Sequence, residues 1–87
     1  MITGTTKSGF NYSIGDEALD DYELLEDLSD IDHGDIFKIT IVARRILGEE
    51  QLQALKEHIR NEKGRVSAEK MGDEINQILN VKPVKNS

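Results

Sequence analysis

Hydrophobic and polar positions alternate at the start of the chain and then change to a helical spacing. Segment 2–6 is rich in β-branched residues, and Phe10, Tyr12 and Ile14 alternate with polar neighbours. Such alternation is typical of a half-buried strand, and the segment between the two runs ends in a glycine, as a three-residue hairpin loop requires. The pattern therefore predicts a β-hairpin over residues 1–14, whose apolar face packs on helices because a lone hairpin is marginal in water.

The remainder of the chain shows the spacing of about four helices. Asp16, Asp35 and Ser67 suit helix N-caps, and Gly34 and Gly48 suit left-handed C-caps. The predicted helices cover approximately residues 16–31, 35–47, 49–61 and 68–80. The predicted fold class is mainly α (α+β), with the short hairpin packed on the helices in a single small domain over residues 1–80, followed by a flexible C-terminal tail, 81–87.

In the first predicted helix, a stripe of apolar residues falls at helical spacing and should face the core. The stripe consists of Ala18, Tyr22, Leu25, Leu28 and Ile31, widened by Leu24.

The second predicted helix is unusual because apolar residues surround its axis. Segment 36–42 also suits a short strand by β-branching, but the flanking caps and the two arginines before Gly48 favour a helix. A helix that is apolar on all sides is either central to its domain or covered by a partner. The candidate residues for apolar contact with a partner or a second copy are Ile36, Phe37, Ile39 and Ile41.

Charge is distributed unevenly along a chain whose net charge is −6. Residues 16–35 contain ten acidic and no basic side chains, whereas residues 36–87 contain ten basic and seven acidic ones. The acidic run is either a solvated helix face or a docking surface for a basic partner. The candidate docking residues are Asp20, Asp21, Glu23, Glu26 and Asp27.

Composition excludes several classes of protein. An isoelectric point near 4.8 disfavours a free-standing nucleic-acid binder. We find no apolar run long enough for a transmembrane helix, and the N-terminus lacks the pattern of a secretory signal. Zero cysteines exclude disulfides and thiol catalysis and fit a reducing cytoplasm. We therefore expect a cytoplasmic protein with no membrane or nucleic-acid partner.

The sequence offers little catalytic or metal-binding chemistry. His33 and His58 have no second histidine at metal-ligand spacing, and His58 suits packing or capping. Segment 30–35 resembles the start of a calcium loop, but its glycine falls one place early and Ile41 stands where a bidentate Glu is required. No phosphate-binding loop is recognisable. We predict that the protein is not an enzyme and has no cofactor or metal site.

A resemblance extends over about residues 3–80. Segments 8–12 (SGFNY) and 18–25 (ALDDYELL) carry its first part, and segment 47–51 (LGEEQ), with scattered positions up to residue 66, carries the second. These positions resemble small proteins of the tail-gene module in long-tailed phages and prophages of Gram-positive bacteria. That group is similar to the tail assembly chaperones.

The resemblance implies binding rather than catalysis. Tail assembly chaperones cover the long helical tape measure protein, recruit tail tube protein around it, self-associate, and are absent from the mature virion. The expected location is therefore the bacterial host cytoplasm. An alternative is a small acidic inhibitor that mimics nucleic acid and blocks a basic host or phage protein, since the acidic run can imitate spaced phosphates.

Overall fold

The computed structural model describes residues 1–80 as an N-terminal hairpin followed by three helices. The elements are β1 (Ile2–Thr5), β2 (Asn11–Ile14), α1 (Tyr22–Asp32), α2 (Lys38–Ile59) and α3 (Ala68–Leu79). The mainly helical fold class with an N-terminal antiparallel hairpin is confirmed. The tail predicted for residues 81–87 lies outside the described residues.

The hairpin forms where the alternating pattern predicts it. β1 and β2 pair antiparallel, with Gly4 opposite Tyr12. The loop closes through two backbone hydrogen bonds, Thr6 N–H to Phe10 O and Gly9 N–H to Thr6 O, both 2.9 Å long. Gly9 has φ 95°, a left-handed conformation that glycine adopts without strain. Phe10, Tyr12 and Ile14 are all buried, so this strand supplies one wall of the core.

The first helix begins later than predicted. Asp16 does not cap it: residues 15–20 form turns, and Asp21 is the N-cap, accepting hydrogen bonds from the backbone N–H groups of Glu23 and Leu24. The predicted stop is confirmed, because α1 ends at Asp32 and Gly34 follows with φ 111°.

The face that α1 buries also differs from the predicted stripe. Leu24 is buried, and Leu28 and Ile31 pack against the core, but Tyr22 and Leu25 are 74% and 57% exposed. The predicted stripe included both exposed residues because they share its spacing. In the structure, the buried face is centred on Leu24 instead.

The second helix joins two of the predicted helices, so there are three helices within residues 1–80 rather than about four. α2 continues through Gly48, whose φ 78° and ψ 168° are not helical and kink the helix there. The helical alternative for segment 36–42 is confirmed from Lys38 onward. The predicted N-cap Asp35 is wrong, since Phe37 occupies that position without a side-chain cap. Ile36 and Phe37 therefore lie in a turn before the helix.

α2 occupies the centre of the fold, and α1, α3 and β2 all pack against it. α3 has the predicted N-cap Ser67, whose side chain accepts a hydrogen bond from the backbone N–H of Lys70. Half of the buried core comes from α2. The buried apolar residues are Phe10, Tyr12, Ile14, Leu24, Val42, Ala43, Ile46, Leu47, Leu52, Leu55, Ile75 and Ile78.

Side-chain amides fasten the hairpin to the helices. Gln51 of α2 accepts a hydrogen bond from Ser13 N–H at 2.7 Å and donates one to Ser13 O at 2.6 Å, so its amide pairs with β2 as a neighbouring strand would. Gln77 of α3 accepts a hydrogen bond from the backbone N–H of Lys7 at 2.8 Å. These contacts satisfy backbone groups of β2 and of the hairpin loop that make no hydrogen bond between the two strands.

We predict that Gly4→Ala destabilises the fold by about 1–3 kcal/mol. The ring of buried Tyr12 lies over Gly4, and an added methyl group would overlap the tyrosine Oη and Cζ atoms. Gly15→Ala is the matched control, since a methyl group there meets no atom within 4 Å. Chemical denaturation measures both variants, and equal stabilities would contradict the packing that we describe.

Candidate functional site

An apolar groove lies between α1, the N-terminal part of α2 and α3. Its volume is about 560 Å³, and its lining surface is predominantly apolar. The lining residues come from all three helices and from the turn before α2: Leu28, Ile31, Ile36, Phe37, Ile39, Thr40, Ala68, Glu69, Gly72, Asp73, Asn76 and Leu79. We refer to this set as the apolar groove.

The structure brings together three of the four apolar residues that the sequence singled out. Ile36 and Phe37 line the groove and are 64% and 81% exposed, while Ile39 lines it and also packs against the core. Ile41 points elsewhere, into a shallow depression beside Arg44 and Arg45, and is 45% exposed. Burial of Ile36 and Phe37 by a partner would remove a large apolar area from water, which is the driving force of most protein association.

Sequence reasoning missed the wall that α3 contributes. Ala68 and Gly72 are four residues apart, so they share one face of α3, and Leu79 extends that face by two further turns. Glycine inside a helix costs about 0.5–1 kcal/mol relative to alanine. The sequence signal that could have revealed this wall was a glycine four residues after an alanine, since two small side chains on one face leave space beside the helix.

The acidic candidates do not form one solvated surface. Arg45 of α2 lies 3.2 Å from the Asp21 carboxylate, 3.7 Å from that of Glu23 and 3.8 Å from that of Asp27. Asp27 itself is buried, whereas Asp20 and Glu26 are exposed. Three of the five candidates thus contact a cation of the same chain, and this contact joins α1 to α2.

Lys38 makes a second bridge between the same helices. Its Nζ atom lies 2.9 Å from the Asp30 carboxylate and 3.3 Å from that of Asp27. Hydrogen bonds to Asp30 and Asp27 raise the pKa of Lys38 above its ordinary value of 10.5. The charged ammonium is therefore the form that the fold favours.

His58 contacts a serine, but the geometry is that of a structural link. Its Nε2 atom lies 3.1 Å from both the hydroxyl and the backbone carbonyl oxygen of Ser8. Because a carbonyl only accepts, a hydrogen bond to it requires a hydrogen on Nε2, and that nitrogen then has no lone pair to deprotonate the hydroxyl. The ring also packs on Phe10, with centroids 5.6 Å apart. His58 therefore fastens the hairpin loop to α2.

Other kinds of site find little support in the part of the chain that the structure describes. Residues 1–80 contain no group of three or more His, Asp or Glu side chains placed to hold a metal ion. None of the described helices is both long enough and apolar enough to cross a bilayer. The apolar groove is thus the surface with the clearest binding chemistry.

No protein-family model, curated protein or solved structure matches this chain. The apolar groove and the ion pairs beside it therefore carry the functional argument, together with the resemblance described above.

We predict that Lys38→Gln lowers stability at neutral pH and that this loss shrinks as the pH rises well above 10.5. A raised pKa in the folded state means that the ammonium stabilises the fold below the unfolded-state pKa, and that this contribution disappears as the pH passes the folded-state value. Denaturation of both proteins between about pH 8 and 12 measures the difference. Lys63→Gln, which removes a charge from an exposed turn, is the control. A pH-independent difference for Lys38→Gln would contradict the assignment.

Proposed function

We propose that this chain is a non-catalytic chaperone that covers an apolar helical segment of another protein with its apolar groove. Following the resemblance, the proposed partner is the tape measure protein of a phage tail, around which the chain helps to recruit tail tube protein. It would act in the bacterial cytoplasm and leave before the virion is complete. Self-association, which the resemblance also implies, is part of this proposal.

The groove is the observation that carries the proposal. A helix laid into an apolar groove buries one stripe of its side chains, and such stripes aggregate in an unassembled helical protein unless something covers them. Ile36 and Phe37 expose apolar surface to water in the monomer, which is unfavourable in free energy. Burial of these side chains by a partner removes that cost.

The nucleic-acid-mimic alternative receives less support from the ion pairs. A mimic presents carboxylates to the cations of its target, whereas Asp21, Glu23 and Asp27 already contact Arg45. Releasing them would leave Arg45 without these partners and would weaken the joint between α1 and α2. A mimic would therefore lose ion pairs that stabilise the fold when it binds its target, whereas binding in the groove leaves these ion pairs in place.

The proposal is tested by co-expression with the tape measure protein encoded in the same gene cluster, followed by affinity purification and sizing. We predict that the wild-type chain keeps the long protein soluble and copurifies with it at high salt, because apolar contact is not screened. Gly72→Trp should abolish copurification. An added Cβ at Gly72 meets no atom within 4 Å, so the indole occupies the groove, and tryptophan is also the better helix former.

Gly15→Trp is the matched control for that variant. It places the same side chain at another glycine with open space around it, in a loop outside the groove. Circular dichroism and thermal unfolding confirm that both variants fold. If Gly72→Trp folds and still keeps the tape measure protein soluble, the groove is not the binding site. If the wild-type chain leaves the long protein insoluble, the proposed function itself is wrong.

A further inference from the structure

We propose that the segment bound in the apolar groove is an amphipathic helix carrying Lys or Arg on the side of its apolar stripe that faces α3. This inference rests on the function proposed above and specifies the partner of the same site. It depends on the charges around the groove rather than on its apolar floor.

The charged residues that line the groove are all acidic. Glu69 and Asp73 stand on its α3 side, four residues apart and therefore one turn apart along the same edge. Both are exposed, and no ion pair joins either of them to another residue of the described chain. An approaching helix therefore meets two carboxylates that do not already contact a cation within residues 1–80.

On α1, in the turn before α2 and on α2, the lining itself carries no charged side chain. Exposed Asp32 and Asp35 neighbour the lining residues Ile31 and Ile36 in sequence, and Lys38, which lies between Phe37 and Ile39, is paired with Asp27 and Asp30. Lysine, arginine and histidine are absent from the lining. Lys70, the nearest cation in sequence on α3, lines a neighbouring cavity with Lys7, His58 and Arg60, and Asp73 borders both that cavity and the groove.

These charges select among occupants that share an apolar stripe. A helix with Glu or Asp on the side that faces α3 would bring like charges to Glu69 and Asp73, whereas Lys and Arg would meet carboxylates. A second copy of this chain is disfavoured for the same reason, since it has net charge −6 and the same acidic edge on α3. The groove follows α3 from Ala68 to Leu79, about 17 Å, so the contact spans about three turns of the bound helix.

Two synthetic peptides of about 14 residues test the inference, because they present the same stripe of leucines at helical spacing with different flanks. One carries lysine at every flanking position and the other carries glutamate. Binding is followed by fluorescence anisotropy of the labelled peptide. We expect the leucine–lysine peptide to bind at least about tenfold more tightly, and the difference to narrow as salt is raised.

Two charge variants separate the groove from general attraction to an acidic protein. Glu69→Lys with Asp73→Lys should weaken binding of the leucine–lysine peptide by about tenfold or more. Glu50→Lys with Glu62→Lys changes the net charge equally at exposed positions outside the groove, and should change that affinity by less than about threefold. If the charge reversal at α3 lowers stability, Glu69→Gln with Asp73→Asn gives the same comparison with less repulsion.

The outcomes distinguish this inference from the proposed function. If both peptides bind equally and Gly72→Trp blocks both, the groove binds helices but the inference about flanking charge is wrong. If the leucine–lysine peptide binds Gly72→Trp as well as it binds the wild type, or if the two double-lysine variants lose affinity equally, the attraction is not located at the groove and the inference is overturned. If the chain forms dimers that Gly72→Trp dissociates, a second copy is the occupant and the inference is again overturned.

Discussion

The rest of the structure depends on the packing around α2, which supplies half of the buried apolar core and is covered by the other elements. The hairpin packs on one side, α1 on another and α3 on a third, which buries Val42, Ile46 and Leu55. Coverage fails before the first turn of α2, where Ile36 and Phe37 remain exposed. Within the described residues 1–80 they form one end of the apolar groove.

The ion pairs between α1 and α2 attach the first helix to the central one beside that groove. Arg45 and Lys38 hold the carboxylates of α1 along one side of α2, and Asp27 lies within reach of both cations. Leu28 and Ile31, on the same helix as those carboxylates, line the groove together with residues of α3. The acidic run thus has a structural role: it attaches α1 to the central helix and so positions one apolar wall.

Local sequence signals predicted the elements well, and their failures have physical causes. The hairpin and Ser67 as a cap depend on neighbouring residues, so pattern alone revealed them. At Gly48 the pattern predicted the end of a helix, whereas the structure has a kink within α2. Asp16 and Asp21 are equally good caps in sequence, and the choice of Asp21 coincides with its contact to Arg45, 24 residues away. The groove required knowing that α3 lies opposite Ile31, and no local pattern contains that information.

The most direct test of this account is the set of backbone amide NMR signals of the labelled chain that shift when the tape measure protein is added. The account predicts that the changes concentrate at Ile36, Phe37, Gly72 and Leu79, with the hairpin signals unchanged. Changes confined to the exposed carboxylates Asp20, which precedes α1, and Glu26, on α1, would contradict it. Changes confined to the hairpin would show that the apolar groove is not the binding surface.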